Sequence, residues 1–246
     1  MISKAQVKEI RALATSKARA ELQTFLVEGD KLCREWLERS EALPQIFAVP
    51  EWLERNQALL GKHPEANVFE ATLEELKKIA TQQHPNAAVL VAKFPILSVQ
   101  LPTNEWCLAL DRIQDPGNMG TIIRIADWFG VEHIVCSPGC VDVYNPKVVA
   151  AGMGGHLRVK MHHSPLPDFL KKCKMPVYAA TLHGKTINQI EPQKAAVLII
   201  GNESLGIQPE LLSWVSEQVT IPKRGGAESL NAAVATGILL SMLVSG

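Results

Sequence analysis

The stretch Ile221–Val244, IPKRGGAESLNAAVATGILLSMLV, decides how the rest of the chain is read. It leaves a strand, passes a basic turn containing Gly225 and Gly226, and reaches the polar cluster Ser229, Leu230, Asn231. An apolar helix follows, expected to begin near Ser229. Such a helix is a core element, and its N-terminus offers unpaired N–H donors and a positive dipole end that suit a nucleotide-like ligand. Two earlier segments, DRIQDPGNMGTIIRIA (111–126) and IIGNESLG (199–206), have the same grammar of strand, Gly/Asn turn and helix. The three turns are expected to converge on one cofactor and catalytic site.

Composition bounds the class. The 246 residues are 47% hydrophobic and 20% charged, a globular chain long enough for one large or two modest domains. The polar N-terminus lacks the apolar run of a secretory signal, and Ala232–Val244 covers about half a membrane span, so neither secretion nor a membrane is expected. Five widely spaced cysteines (33, 107, 136, 140 and 173) point to reduced thiols in the cytoplasm. Cys136 and Cys140 have no complementary pair, and His162 and His163 would point apart in a strand, so no metal site is expected. Thirteen basic and thirteen acidic residues precede position 95 and twelve of each follow, so neither half carries a broad basic footprint. The one local excess, Lys4, Lys8, Arg11, Lys17 and Arg19 against Glu9, reads as a solvated helix face.

Periodicity divides the chain near residue 95. Val7, Ile10, Leu13 and Ala14 mark a first helix. Strands are then expected in TFLVEG, LPQIFAVP, NVF and AAVLVAKF, alternating with helices in DKLCREWLER, EWLERNQALL and TLEELKKIA. Thr72 and Glu75 form a capping-box signature for the last of these helices. This front α/β layer (1–95) ends in a proline-containing linker (96–104). From 105 to 246 the alternation restarts, with strands in WCLALDRI, HIVCS, LRVKMH, PVYAATL, KAAVLIIG and QVTIP. Helices are expected in GNMGTIIRIADWFG, NPKVVAAGMGG, LPDFLKKC and IQPELLSWV before the terminal one. Apolar strands joined by crossover helices imply a parallel sheet covered on both faces.

Several chemistries are excluded. No G-x-G-x-x-G opens a helix after the first strand of either half, and there is no P-loop and no G-x-S-x-G elbow. What remains are the three turns, each at a strand's carboxyl end, where open α/β sheets hold ligands. In the first, Pro116-Gly117 makes a tight turn and Asn118 stands at a helix start, able to cap or to bind. Ile122, Ile123, Ala126 and Phe129 share the core side of that helix, and Arg124 lies away from it. Arg124 is thus either a surface arginine or one presented to a phosphate or carboxylate. In the second turn Gly201 and Gly206 let backbone approach a ligand, and Glu203 is placed to cap the following turn.

Together and in this order, NxGxxxR, GNExxG and IPxxGGAESLNxAVAxGILL resemble the three motifs of the SpoU (TrmH-like) branch of the SPOUT RNA methyltransferases. The resemblance covers about 105–246 and includes VDVYNPKVVAAGMGG, and TFLVEGDKLCREWL is similar to the start of an L30e-like RNA-binding domain. It implies an α/β catalytic domain with a C-terminal trefoil knot, where chain physics alone predicts an unknotted sheet. It also implies bound S-adenosylmethionine (SAM), a homodimer with the site at its interface, and methyl transfer to a ribose 2′-hydroxyl of structured RNA. Ribosomal RNA is favoured over tRNA, with a non-catalytic RNA-binding or ribosome-assembly protein on the same fold as the other alternative.

By matching position, the resemblance assigns Gly201, Ile221 and Leu230 to the cofactor and Asn118, Arg124, Glu203, Ser229 and Asn231 to the catalytic set. Arg124, often proposed as the base in this family, stays protonated at any ordinary pH. The better role is a phosphate clamp that stabilises the developing alkoxide, oriented by Glu203 and Asn118. Ser204, Lys223, Ala150 and Gly152 depart from the family's usual residues but leave the polar set intact.

Overall fold

The computed structural model describes residues 2–39, 45–82, 87–95, 102–191 and 193–244. Residues 96–101 of the expected linker, and Leu43 and Pro44 of the second expected strand, lie outside the described residues. Packing divides the chain into two units, Met1–Ile96 with Asp142–Leu157, and Leu97–Val141 with Arg158–Gly246.

In the first unit, capping side chains set the boundaries. Ser3 and Gln6 form a capping box at the start of α1 (Lys4–Ala12), and Thr15 caps a separate α2 (Ser16–Leu22). The single N-terminal helix expected from periodicity is therefore two, because the Thr15 hydroxyl competes for the backbone donors of the second. The chain continues through β1 (Thr24–Glu28), α3 (Asp30–Arg39), β2 (Gln45–Ala48), α4 (Pro50–Arg55) and α5 (Gln57–Leu60). It then forms β3 (Asn67–Glu70), α6 (Leu73–Ile79) and β4 (Ala88–Lys93). The expected helix 51–60 breaks at Asn56, whose buried side chain donates to the Trp52 carbonyl at 2.7 Å. The sheet order is β1-β4-β2-β3, with β4 antiparallel to both neighbours and β2 parallel to β3. The Thr72–Glu75 capping box forms as expected.

The basic N-terminal face is only partly solvated. Lys4, Lys8, Arg11 and Lys17 are exposed, whereas Arg19 is 1% exposed. Its guanidinium donates through Nε and Nη2 to Asp142 Oδ2, and through Nη1 to the Leu13 carbonyl at 2.7 Å. Arg19 is a structural cation that ties the first helices to residue 142.

The second unit begins with β5 (Cys107–Asp111), α7 (Pro116–Trp128) and β6 (His133–Cys136). The chain then makes α8 (Pro146–Gly152), which belongs to the first unit and stands against β1, with Tyr144 ringed by Phe25, Phe94 and His156. It resumes with β7 (Lys160–His163), α9 (Leu166–Lys172), β8 (Val177–Thr186), β9 (Val197–Gly201), β10 (Glu217–Thr220) and α10 (Ala232–Leu243). All six expected strands form, in the order β10-β8-β9-β5-β6-β7, and every pairing is parallel. Two details differ from expectation. IQPELLSWV becomes a 3-10 helix at Pro209–Trp214, and the terminal helix starts at Ala232 rather than near Ser229, because Asn231 is its N-cap.

This order positions the site. β5 and β9 are neighbours whose connections diverge, the chain leaving β5 toward β6 on one side and leaving β9 toward β10 on the other, which makes their carboxyl ends the switch point at which α/β folds open a crevice. The register pairs Asp111 with Gly201, placing the turn after β5 beside the turn after β9. Replacing Arg19 by Ala leaves Asp142 without its guanidinium and opens a void, so unfolding free energy is expected to fall by about 3 kcal/mol. Urea denaturation of Arg19→Ala against wild type checks this; a change below about 0.5 kcal/mol, the scale of an ordinary surface substitution, would contradict it.

Candidate active site

The three turns meet through one side chain. Asp115 caps α7 by accepting the Asn118 N–H at 2.8 Å, which frees the Asn118 amide to reach across the sheet end. Its Nδ2 donates to Glu203 Oε1 at 2.6 Å, and its Oδ1 accepts Asn231 Nδ2 at 2.7 Å. Asn231 Oδ1 in turn accepts the backbone N–H groups of Ala233 and Val234, capping α10. The carboxylate only accepts and the backbone N–H groups only donate, so both amide orientations are forced from the ends inward. Asn118, Glu203 and Asn231, singled out on separate segments, thus form a single chain.

Glu203 does not cap the turn that follows it. That role belongs to its neighbour Asn202, which is 9% exposed and whose Oδ1 accepts the N–H groups of Ser204 and Leu205, both at 3.0 Å. Asn202 Nδ2 donates to the Arg112 carbonyl at 2.8 Å. The far end of the same turn is held by Asp111, a fully buried carboxylate that accepts Gln208 N and Nε2, each at 2.8 Å, and Arg112 Nε at 3.1 Å. Arg112 adopts φ +56°, a conformation costly for a side-chain-bearing residue and typical of functional turns. Its N–H is held by Ser137 Oγ at 2.9 Å. Asp111, Arg112 and Gln208 are the structural residues that motif reading passed over, with a charged residue closing the apolar run CLALD as the only signal for any of them; Asn202, expected to supply an amide at the strand end, is the cap of the turn.

Beside this chain lies a cavity of about 660 Å³, within the usual span of small-molecule sites, roughly 300–1,000 Å³. Ile200, Val219 and Leu239 give it an apolar floor, while Glu203, Lys223, Arg224, Glu228 and Ser229 supply polar groups. Gly201, Ile221 and Leu230 all line it. A Cβ at Gly201 would lie 2.5 Å from the Gly206 carbonyl carbon and the Ile207 nitrogen, so only glycine allows the turn to close on the strand end. The backbone from Pro222 to Leu230 makes no hydrogen bond with the other described residues, leaving its N–H and C=O groups available to a ligand.

Five of the eight expected site residues therefore line the cavity, and Asn118 and Asn231 join it through Glu203. Arg124 stands apart. It is exposed on α7, outside the cavity lining, and makes no ion pair among the described residues; Glu203 is engaged by Asn118 instead. Chemically, the arrangement offers a cleft for a ligand with an apolar body and polar ends, an anchored carboxylate at its edge, and a free guanidinium for an anion.

The chain resembles proteins of known class along its whole length. Residues 105–241 match the model of the SpoU rRNA Methylase family, and residues 4–90 match an MRM3-like substrate binding domain. The 23S rRNA (guanosine(2553)-2′-O)-methyltransferase RlmP of Bacillus subtilis is 31% identical over 96% of this chain and 94% of its own. An AdoMet-bound rRNA methyltransferase from Sinorhizobium meliloti is 30% identical, with a TM-score of 0.88 over 99% of this chain and 96% of that one. A TrmH-family structure from Porphyromonas gingivalis is 35% identical, with a TM-score of 0.86 over 99% and 98%.

The hydrogen-bonded chain has a measurable signature. Asn231→Ala removes the cap of α10 and is expected to cost about 1 kcal/mol. Combining it with Asn118→Ala should cost less than the two separate losses, by roughly 0.5 kcal/mol or more, because the pair shares one bond. Denaturation of the four proteins measures this coupling; strict additivity would show that the two amides act independently.

Proposed function

This chain belongs to the SpoU rRNA methylase family, and from that premise we propose that it transfers a methyl group from S-adenosylmethionine to a ribose 2′-hydroxyl of ribosomal RNA. The observation that carries the assignment to this site is the joining of all three motif turns by Asn118 at the edge of the cleft. The cofactor, when bound, supplies a methyl group already activated on a sulfonium sulfur.

The cleft suits that cofactor. Its apolar floor and unpaired 222–230 backbone match a planar base with polar edges, and Gly201, Ile221 and Leu230 would hold it there. With an activated electrophile, catalysis depends mainly on positioning, a contribution of up to roughly 7–11 kcal/mol in favourable cases. A ribose hydroxyl is a weak nucleophile at neutral pH, so the residues at the cleft edge must orient it and stabilise the oxyanion that develops. Arg124 clamps a backbone phosphate and stabilises this charge, since a guanidinium does not give up its proton. Glu203, kept in place by Asn118, and Ser229, exposed on the cleft wall, orient the hydroxyl and accept or relay its proton. The front unit selects the RNA.

A homodimer with the site at its interface completes this reading. Val234, Ile238 and Met242 are 51%, 37% and 47% exposed at successive turns of α10, and Trp128 on α7 is 83% exposed. The two helices adjoin, with Gly237 facing Ile125, so these side chains make an apolar surface suited to a second copy. Arg124 lies on the exposed side of α7, so pairing through this surface directs it toward the second subunit. The trefoil knot belongs to the same proposal, supported by the passage of the chain past β8 between β9 and β10 before α10 returns to α7. A cytoplasmic location agrees with five unpaired cysteines.

Arg124→Ala separates the two halves of the mechanism. Turnover on rRNA is expected to fall about 10²–10³-fold, the scale of removing one oxyanion stabiliser, with SAM affinity unchanged. Methyl-transfer rates and calorimetric SAM titration check both. Unchanged turnover would remove Arg124 from the mechanism, and failure of the wild type to bind SAM at millimolar concentration would overturn the function.

A further inference from the structure

The amino ends of β5, β6 and β7, opposite the cleft, carry a group of side chains that methyl transfer does not use. The register sets His133 beside Cys107 on one side and Lys160 on the other, so the approach to β5 and the start of β6 run close together. There Glu105, Glu132 and His133 offer three ligand atoms that all lie within 4.8 Å of one another. We propose that these three residues bind one divalent transition-metal ion of the zinc class, at a site separate from the cleft. Sequence spacing did not disclose the site, because Glu105 reaches it from a different segment than the adjacent pair Glu132 and His133.

His133 separates this group from an ordinary acidic surface patch. Its side chain is 6% exposed, while those of Glu105 and Glu132 are 49% and 57% exposed, so a nitrogen on a buried ring meets two carboxylates that open to solvent. That nitrogen, Nε2, stands 3.3 Å from Glu105 Oε1 but makes no hydrogen bond among the described residues. A tetrahedral ion with nitrogen and oxygen ligands at about 2.0–2.1 Å spaces them about 3.3–3.4 Å apart, so this pair already has the edge length of such a shell. An imidazole beside carboxylates suits zinc-class ions, whereas magnesium and calcium take oxygen ligands.

The other nitrogen of the ring is already held. His133 Nδ1 lies 2.9 Å from Nε2 of His162, which is buried on β7, and the two ring planes are 6° apart. An ion at His133 Nε2 requires the ring proton on Nδ1, and His162 Nε2 is then its acceptor. Metal-bound histidines ordinarily have such an outer partner, which fixes both tautomer and ring orientation.

Lys160 is the one cation in contact with the group. Its Nζ donates to Glu132 Oε2 at 3.2 Å, and its backbone N–H donates to the Glu132 carbonyl at 2.7 Å. A carboxylate has lone pairs on both oxygens, so Glu132 holds the ammonium through one and the metal ion through the other. Three protein ligands leave the fourth position of a tetrahedral shell to water. The ion ties the approach to β5 to the start of β6 and stabilises the end of the sheet remote from the cleft.

The test titrates untagged, chelator-stripped full-length protein with zinc chloride by calorimetry and with cobalt chloride by absorption spectroscopy. Wild type is expected to bind one equivalent of zinc. Glu105→Gln and Glu132→Gln, at exposed positions, should each weaken binding by at least about tenfold, since even partners outside the ligand shell contribute about 10–100-fold. His133→Ala should abolish it, and circular dichroism checks its fold; if that variant does not fold, the two carboxylate variants decide. Cobalt should give ligand-field bands without the sulfur-to-metal band of a thiolate site, which separates this site from the five cysteines. The wild-type Tm should rise by roughly 5–10 °C with zinc at a hundredfold excess over Kd, a shift that folded His133→Ala lacks. No zinc bound by wild type at millimolar concentration, a thiolate band at one equivalent of cobalt, or unchanged affinity in any of the three folded variants would each overturn the proposal. None of these measurements depends on what the cleft binds.

Discussion

The side-chain amide of Asn118 is the point through which the second unit becomes a site rather than three separate turns. It has two functional ends, and each is occupied by a residue from a different motif, Glu203 on one side and Asn231 on the other. Asn231 is in turn the N-cap of α10, so the chain of bonds ends in the backbone of the terminal helix. A rearrangement at the carboxylate therefore cannot be confined to the loop that carries it. This coupling explains why a short polar side chain with a defined amide orientation is needed at the start of α7, where a carboxylate would repel Glu203 and an alanine would join nothing.

A second layer of bonds holds this chain in place from below. Parallel pairing in the register Asp111 with Gly201 sets the ends of β5 and β9 side by side. The buried carboxylate of Asp111 and the buried amide of Asn202 then fasten the 202–208 turn at both ends. A charge in this position is tolerated because it accepts several N–H bonds, and leaving any of those partners unpaired would be costly. The positive φ of Arg112 is the local strain accepted by this layer, and it aims the Arg112 carbonyl at Asn202.

Much of this architecture was legible in the sequence, for identifiable reasons. The inner strands β9, β5 and β6 are almost entirely buried because both faces of the parallel sheet are covered there, and all six strands formed where they were expected. The three turns were visible because glycine, asparagine and proline at strand ends have few other uses. Local competition between polar side chains was harder to read. Thr15 and Asn56 split helices that periodicity joined, Asn202 rather than Glu203 took the turn's donors, and Asn231 rather than Ser229 began the last helix. In each case neighbouring polar groups had similar local preferences, and tertiary position chose between them. The burial of Arg19 had no local signal, because its partner Asp142 lies 123 residues away. The same holds for the assignment of residues 142–157 to the first unit and for the pairing of Gln208 with Asp111.

What unites the two layers is their consequence for chemistry, a cleft whose edge carries a fixed carboxylate and whose wall leaves backbone groups open. The account stands on the claim that this edge presents a ribose hydroxyl to an activated methyl group. The most direct measurement is transfer of an isotopically labelled methyl from SAM to ribosomal RNA by the purified protein, followed by complete nuclease digestion and nucleoside mass spectrometry. The account predicts the label on the ribose, recovered as a 2′-O-methylnucleoside. Label on a base, or no transfer to any cellular RNA by a protein that binds SAM, would contradict it.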